Sequence, residues 1–190
     1  KGLRLLREFV HGPGFVHVSR RTTELGWQLL PRLLELCPDR TPTSAGGGGG
    51  FVLSDPDRVL ARLDTYVQAY GARAPLYELW TARPGVFEHM LKLFDRSEFL
   101  AELAIGTPDL VDELEAGGHL RRQKSFAQTL EDLRHGAKDK DQHLWLRRYF
   151  RTEFMRLGLR DILGWVDDRS APDELSALAE ACLQYAVDVV

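Results

Sequence analysis

Apolar residues recur at helical spacing along almost the whole chain, and no stretch alternates with the period of two that a half-buried strand needs. The longest periodic run covers residues 141–165. Within it Leu146, Phe150, Phe154, Leu157, Gly158 and Ile162 fall on one side of a helix turning about 100° per residue, and that side is expected to face a core. Arg147 and Arg151, one turn apart, land inside the same arc, and Asp161 borders it. Buried charge needs a counter-charge, so the arc predicts partners from neighbouring helices or from a docked domain. Glu153, Arg156 and Arg160 share another face at i, i+3 and i+7, which reads as an ordinary solvated salt-bridge ladder.

The remaining pattern is helix and punctuation. Residues 3–10 form a short helix, closed by the turn signal at 11–14. Residues 15–36 form a second one, with Phe15, Val18, Leu25, Leu29, Leu33 and Leu36 on its apolar side and Pro31 expected to kink or split it. The run Gly46 to Gly50 is too costly in backbone entropy to order and predicts a linker. Pro56, preceded by Asp55, opens the next helix, which Gly71 ends; short helices follow over 73–82 and 84–94, then one capped by Asp95 or Ser97 and closed by Gly106, one begun at Thr107-Pro108-Asp109 and stopped at Gly117-Gly118, and one over 126–135 capped by Ser125. Pro172 opens a terminal helix with Leu175, Leu178, Ala179, Cys182, Ala186 and Val190 on one face. The expected fold is all-α: a multi-helix bundle of short helices and one long helix, without a sheet. The expected organisation is a helical segment at 1–38, a linker at 39–53 and a helical bundle at 54–190.

Composition narrows the function. A formal charge of −3 disfavours a general binder of nucleic acid or phosphate, and the cluster Arg121, Arg122, Lys124 reads as a solvated connection. Cys37 and Cys182 sit in apolar helical patterns and read as core thiols of a reducing compartment. No apolar run approaches a membrane span and no signal peptide is visible, so a soluble, cytoplasmic protein without a membrane partner is expected. The chain starts inside a helical pattern without a methionine and stops inside another, which suggests a piece of a longer polypeptide.

Candidate chemistry is sparse. Gly49-Gly50 ahead of Asp55-Pro56-Asp57 mimics the glycine turn and paired carboxylates of a nucleotidyltransferase. Four intervening residues leave no room for a helix and a return strand, and proline between the acids suits a helix start instead. Asp139-Lys140-Asp141 reads as a solvated helix entry. The six histidines show no zinc spacing, and no nucleophile elbow, phosphate loop or C-x-x-C occurs. No catalytic, cofactor-binding or metal-ligating residue is assigned.

Several runs nevertheless resemble a known family. Residues 53–63 (LSDPDRVLARL), 76–80 (LYELW), 93–102 (LFDRSEFLAE), 107–112 (TPDLVD), 153–164 (EFMRLGLRDILG) and 175–183 (LSALAEACL) are similar, in order and approximate spacing, to the glutamine synthetase adenylyltransferase/adenylyl-removing enzyme family, in the helical region leading into a nucleotidyltransferase domain. Residues 5–37 resemble a helical stretch upstream. The resemblance implies a parent enzyme that uses ATP and Mg²⁺ to adenylylate a tyrosine of glutamine synthetase, removes the group by phosphorolysis, and answers to glutamine and PII signalling proteins. No catalytic residue of that family maps onto this chain, and no cofactor is assigned to it.

The expectation is therefore a non-catalytic helical inter-domain scaffold, whose partner is the adjoining nucleotidyltransferase domain. Arg147, Arg151, Glu153, Arg156, Arg160 and Asp161 are the candidate docking residues; internal ion pairing is the competing role for Arg147, Arg151 and Asp161. The alternative function is a stand-alone helical module for protein–protein interaction.

Overall fold

The computed structural model describes residues 2–14, 17–38, 51–116, 118–136, 141–167 and 169–189. Among them are ten α-helices, one 3₁₀ turn and no strand. The chain divides into two compact units, Lys1–Pro108 and Asp109–Val190.

The first unit holds α1 (Gly2–His11), α2 (Arg20–Glu35), α3 (Pro56–Tyr70), α4 (Arg73–Ala82), α5 (Pro84–Arg96) and α6 (Glu98–Gly106). Ser19 caps α2, its hydroxyl accepting from the Thr22 N–H, so this helix starts later than the periodicity suggested; it then runs unbroken through Pro31. Residues 15, 16 and 39–50, including the glycine run, lie outside the described residues. The helices on either side of that run belong to one unit, α1 and α2 packing on α3, α4 and α5. Gly26 lets α1 and α2 approach closely, since a Cβ there would lie 3.1 Å from the Val10 Cα. The core is aromatic: Phe9, Tyr66, Tyr77, Trp80, Phe87 and Phe94 pack with neighbouring ring centroids 4.9–6.2 Å apart. The carbonyls at the end of α1 are met from α4, in addition to the Gly12 N–H that donates to Glu8 O at 2.8 Å. Tyr77 donates to Phe9 O at 2.6 Å, and Arg73 donates to Glu8 O at 2.8 Å and Phe9 O at 3.0 Å.

The second unit holds α7 (Asp109–Ala116), a 3₁₀ turn (His119–Arg121), α8 (Phe126–Gly136), α9 (Gln142–Ile162) and α10 (Ser170–Val189). Helix α10 packs on both α8 and α9. Leu130, Leu133, Tyr149, Leu157, Leu178, Ala181 and Tyr185 form its core, with Trp145, Leu146 and Cys182 packed against it. Cys37 and Cys182 are half-buried free thiols rather than fully buried core thiols; burial pushes the Cys182 thiol up to about 11.

The buried faces of α9 and α10 differ from those expected. Helix α9 buries Tyr149, Glu153, Met155, Arg156, Leu157, Leu159 and Arg160, while Arg147, Phe150 and Arg151 are exposed. Helix α10 buries Glu174, Leu178, Ala181 and Tyr185, about a quarter turn from the apolar face read in the sequence. The physical reason is that paired charges make an otherwise polar stripe burial-competent, so the most apolar arc was not the one turned inward.

Candidate functional site

The feature that organises the second unit is a buried charge network. It grows from local chemistry on α9, where Glu153 and Arg156 lie at i, i+3 and Arg156 and Arg160 at i, i+4, so that three charged side chains leave the helix on one side. Glu153 Oε2 accepts from Arg156 Nε at 2.7 Å, and its Oε1 accepts from Lys124 Nζ at 2.6 Å. Across from them, near the start of α10, Glu174 Oε1 accepts from Arg156 Nη2 at 2.5 Å and from the Lys124 backbone N–H at 2.9 Å. Its Oε2 accepts from Arg160 Nη1 at 2.5 Å. Arg156 Nη1 donates to the Arg122 carbonyl. One guanidinium thus ties together the segment before α8, α9 and α10.

Three cations and two carboxylates are buried here, and Asp132 completes the charge balance from the rim. Its Oδ2 lies 2.8 Å from Lys124 Nζ and accepts from the Tyr149 hydroxyl at 3.2 Å. Burial opposes the charge on Arg156, but Glu153 and Glu174 outweigh it and hold its pKa above the ordinary value. Burial likewise opposes ionisation of Glu174, yet hydrogen bonds from Arg156, the Lys124 N–H and Arg160 hold its carboxyl below the usual range. Tyr149 is pushed up, first by burial and then by the negative charges of Glu153 and Asp132, so its hydroxyl serves as a donor. Among the described residues, Arg160 Nε and the Tyr185 hydroxyl are sealed without a hydrogen-bond partner.

Two concavities flank the network. One, of about 280 Å³, is lined by Leu114, Lys124, Trp145, Tyr149, Thr152 and Glu153 among others. The other, also about 280 Å³, is an apolar groove between Phe154, Leu157 and Gly158 of α9 and Ala171, Pro172 and Leu175 at the start of α10, with Asp161 at its edge.

Of the six candidate docking residues, the structure brings Glu153, Arg156 and Arg160 together in the interior, with Arg156 only 1% exposed. That corrects the solvated ladder. Arg147 and Arg151 are exposed, not buried in an apolar arc, and make no ion pair with another described residue; Asp161 is exposed at the groove. Lys124, read as part of a solvated loop, is buried as well. Glu174 was missed: it occupies a helical stripe with Leu178, Ala181 and Tyr185, and the signal was one carboxylate in an apolar register facing two arginines a turn apart.

The acidic pair upstream has a structural role. Asp55 caps α3, its Oδ1 accepting from the Arg58 N–H at 3.0 Å, with Pro56 and Asp57 in the first turn. Asp95 secures this start by accepting from Ser54 N, Ser54 Oγ and Asp55 N. Asp141 likewise caps α9, accepting from the Leu144 N–H at 2.9 Å. Among the described residues no three His, Cys, Asp or Glu side chains converge as a metal-holding group, and no helix is long and apolar enough to cross a membrane.

These features define an all-helical module cross-braced by interior ion pairs. Residues 87–190 match the sequence profile described as glutamate-ammonia ligase adenylyltransferase, and the chain belongs to that family. It is 29% identical over 184 residues to the bifunctional glutamine synthetase adenylyltransferase/adenylyl-removing enzyme of Pseudomonas aeruginosa, covering 94% of this chain and 17% of that protein. The enzyme of the same description from Thioalkalivibrio sulfidiphilus is 27% identical over 177 residues, covering 90% of this chain and 17% of that protein. The one from Nitrosococcus oceani is 36% identical over 98 residues, covering 48% and 10%. The chain therefore spans about a sixth of the length of the first two.

Proposed function

We propose that this chain is the non-catalytic helical scaffold of a cytoplasmic enzyme that adenylylates and deadenylylates a tyrosine of glutamine synthetase under PII control. The observation that supports this best is the match to the adenylyltransferase family over 87–190, the stretch that contains the whole charge network. ATP, Mg²⁺ and the transfer itself belong, in this reading, to a nucleotidyltransferase domain elsewhere in the longer polypeptide. Metal-bound carboxylates there would position and neutralise the phosphates. The network's contribution is mechanical: it fixes the register of α9 against α10, so that the outward face of α9 is presented in one geometry.

Arg147, Arg151 and Asp161 are the docking charges on that face. The test is charge reversal, Arg147→Glu with Arg151→Glu, in the full-length enzyme. Adenylylation and deadenylylation rates are expected to fall while the melting temperature of this 190-residue chain stays put. Unchanged rates of both reactions and unchanged full-length stability would reject the docking role. A second check is calorimetry with ATP and Mg²⁺ on this chain alone, for which no binding isotherm is expected; a clear micromolar isotherm would reject the non-catalytic assignment.

A further inference from the structure

Inward burial of the charged stripes leaves the apolar stripes of α9 and α10 outside. On α10, Leu175, Ala179, Leu183 and Val187 follow one another at four-residue intervals, one line along the helix. Leu175, Leu183 and Val187 are 41%, 69% and 74% exposed. On α9, the Phe150 and Phe154 rings lie 5.7 Å apart, and Phe150 is exposed. The apolar groove at Phe154, Gly158, Pro172 and Leu175 joins the two helices, so the two stripes meet at Phe154 and Leu175. Scattered exposed leucines are ordinary; a continuous seam along two packed helices marks an interface.

The charges beside the seam indicate its occupant. Arg147 and Arg151 flank Phe150 in sequence, both exposed and without an ion pair to any described residue, more than two turns along α9 from Asp161, which is exposed at the groove. A covering element therefore has apolar side chains at helical spacing and carboxylates along the edge that meets these arginines. Relatives aligned over nearly all of this chain place about five-sixths of their length outside the match. We infer that the α9–α10 seam is covered by a helix with an acidic edge, from another part of the same longer polypeptide. This rests on the proposed scaffold role but concerns cover, not activity, so the two can fail separately.

The experiment reads cover directly. Leu183→Cys is placed in a background with Cys37→Ser and Cys182→Ala, both in this 190-residue chain and in the full-length enzyme. Reaction with a fluorescent maleimide is expected to be at least about tenfold slower in the full-length protein, because packed interface cores exclude reagent as they exclude water. Equal rates overturn the inference whatever the arginine reversal does to activity. Slow labelling already in the 190-residue chain, accompanied by concentration-dependent self-association that Leu183→Glu abolishes, assigns the seam to a second copy and also overturns it. Slow labelling confined to the full-length enzyme, relieved when Leu175→Glu and Val187→Glu are added, supports it.

Discussion

Arg156 and Glu174, 18 residues apart in sequence and on successive helices, meet at 2.5 Å, and neither side chain is more than 2% exposed. A pair so placed is expensive to break by halves, because the survivor is left charged and dry. Arg156→Met is expected to destabilise the second unit by about 3–5 kcal/mol, the usual cost of breaking a buried ion pair. Adding Glu174→Met should cost less than its own single effect, with a coupling of about 1–3 kcal/mol for residues in direct contact. Urea denaturation of the four-member mutant cycle measures both. Additive effects would show that the pair does not act as a unit.

The same carboxylate makes stability depend on pH with a definite sign. Glu174 titrates below its ordinary value of 4.5 in the folded chain. A group with a depressed folded pKa contributes stability that is complete above the unfolded value and is lost as pH falls through the folded one. Melting temperature should therefore hold from neutral pH down to about 4.5 as far as this group is concerned, and drop below it. Glu174→Gln should lower the neutral plateau and flatten the acid limb. A parallel acid limb in the variant would assign the loss to other carboxylates.

How much of this was legible in the residues divides along physical lines. Helix starts were readable because they are local: Asp55 with Pro56, Ser97 and Asp141 each sit at a helix entry and accept from the third residue on. The faces of α9 and α10 were not readable, because both helices carry apolar residues on two sides and only tertiary pairing decides between them. Arg156 looks like surface charge until Glu174, Glu153 and the Arg122 carbonyl are brought to it. The late start of α2 has a local cause that helical periodicity alone overlooks, the Ser19 cap.

Gly136 and Trp145 form a second pair with a sharp expectation. A Cβ on Gly136 would run into the Trp145 ring, whose Nε1 donates to Leu133 O at 3.0 Å. Gly136→Ala must move the indole and loosen that bond, at a cost of about 1–3 kcal/mol typical of overpacking. Tryptophan emission shifted to the red and a lower melting temperature are the readouts. A Trp145→Phe background should remove the emission change.

In the first unit, the Tyr77 hydroxyl is the buried donor to the end of α1, at 2.6 Å from Phe9 O. Tyr77→Phe keeps the ring and deletes only the donor, so it is expected to cost about 1–3 kcal/mol, the range for stranding a buried acceptor. Arg73, which also donates to Phe9 O, should limit the loss. The companion Arg73→Met/Tyr77→Phe variant should therefore lose more than the two single changes predict. Hydrogen exchange at the amides of α1 reports whether the helix loosens from α4.

The short turn between α9 and α10 is the covalent link of that hairpin, but Glu174 supplies another. Its two oxygens hold Arg156, Arg160 and the Lys124 N–H, groups that all precede the turn in sequence. A protease that nicks the chain there would create two peptides with complementary interior charges, each poorly suited to water in the docked conformation without the other. The cut protein should migrate as one species under native conditions and as two in denaturant, behaving as a fragment-complementation pair whose halves share an apolar core and are aligned by the Glu174 carboxylate.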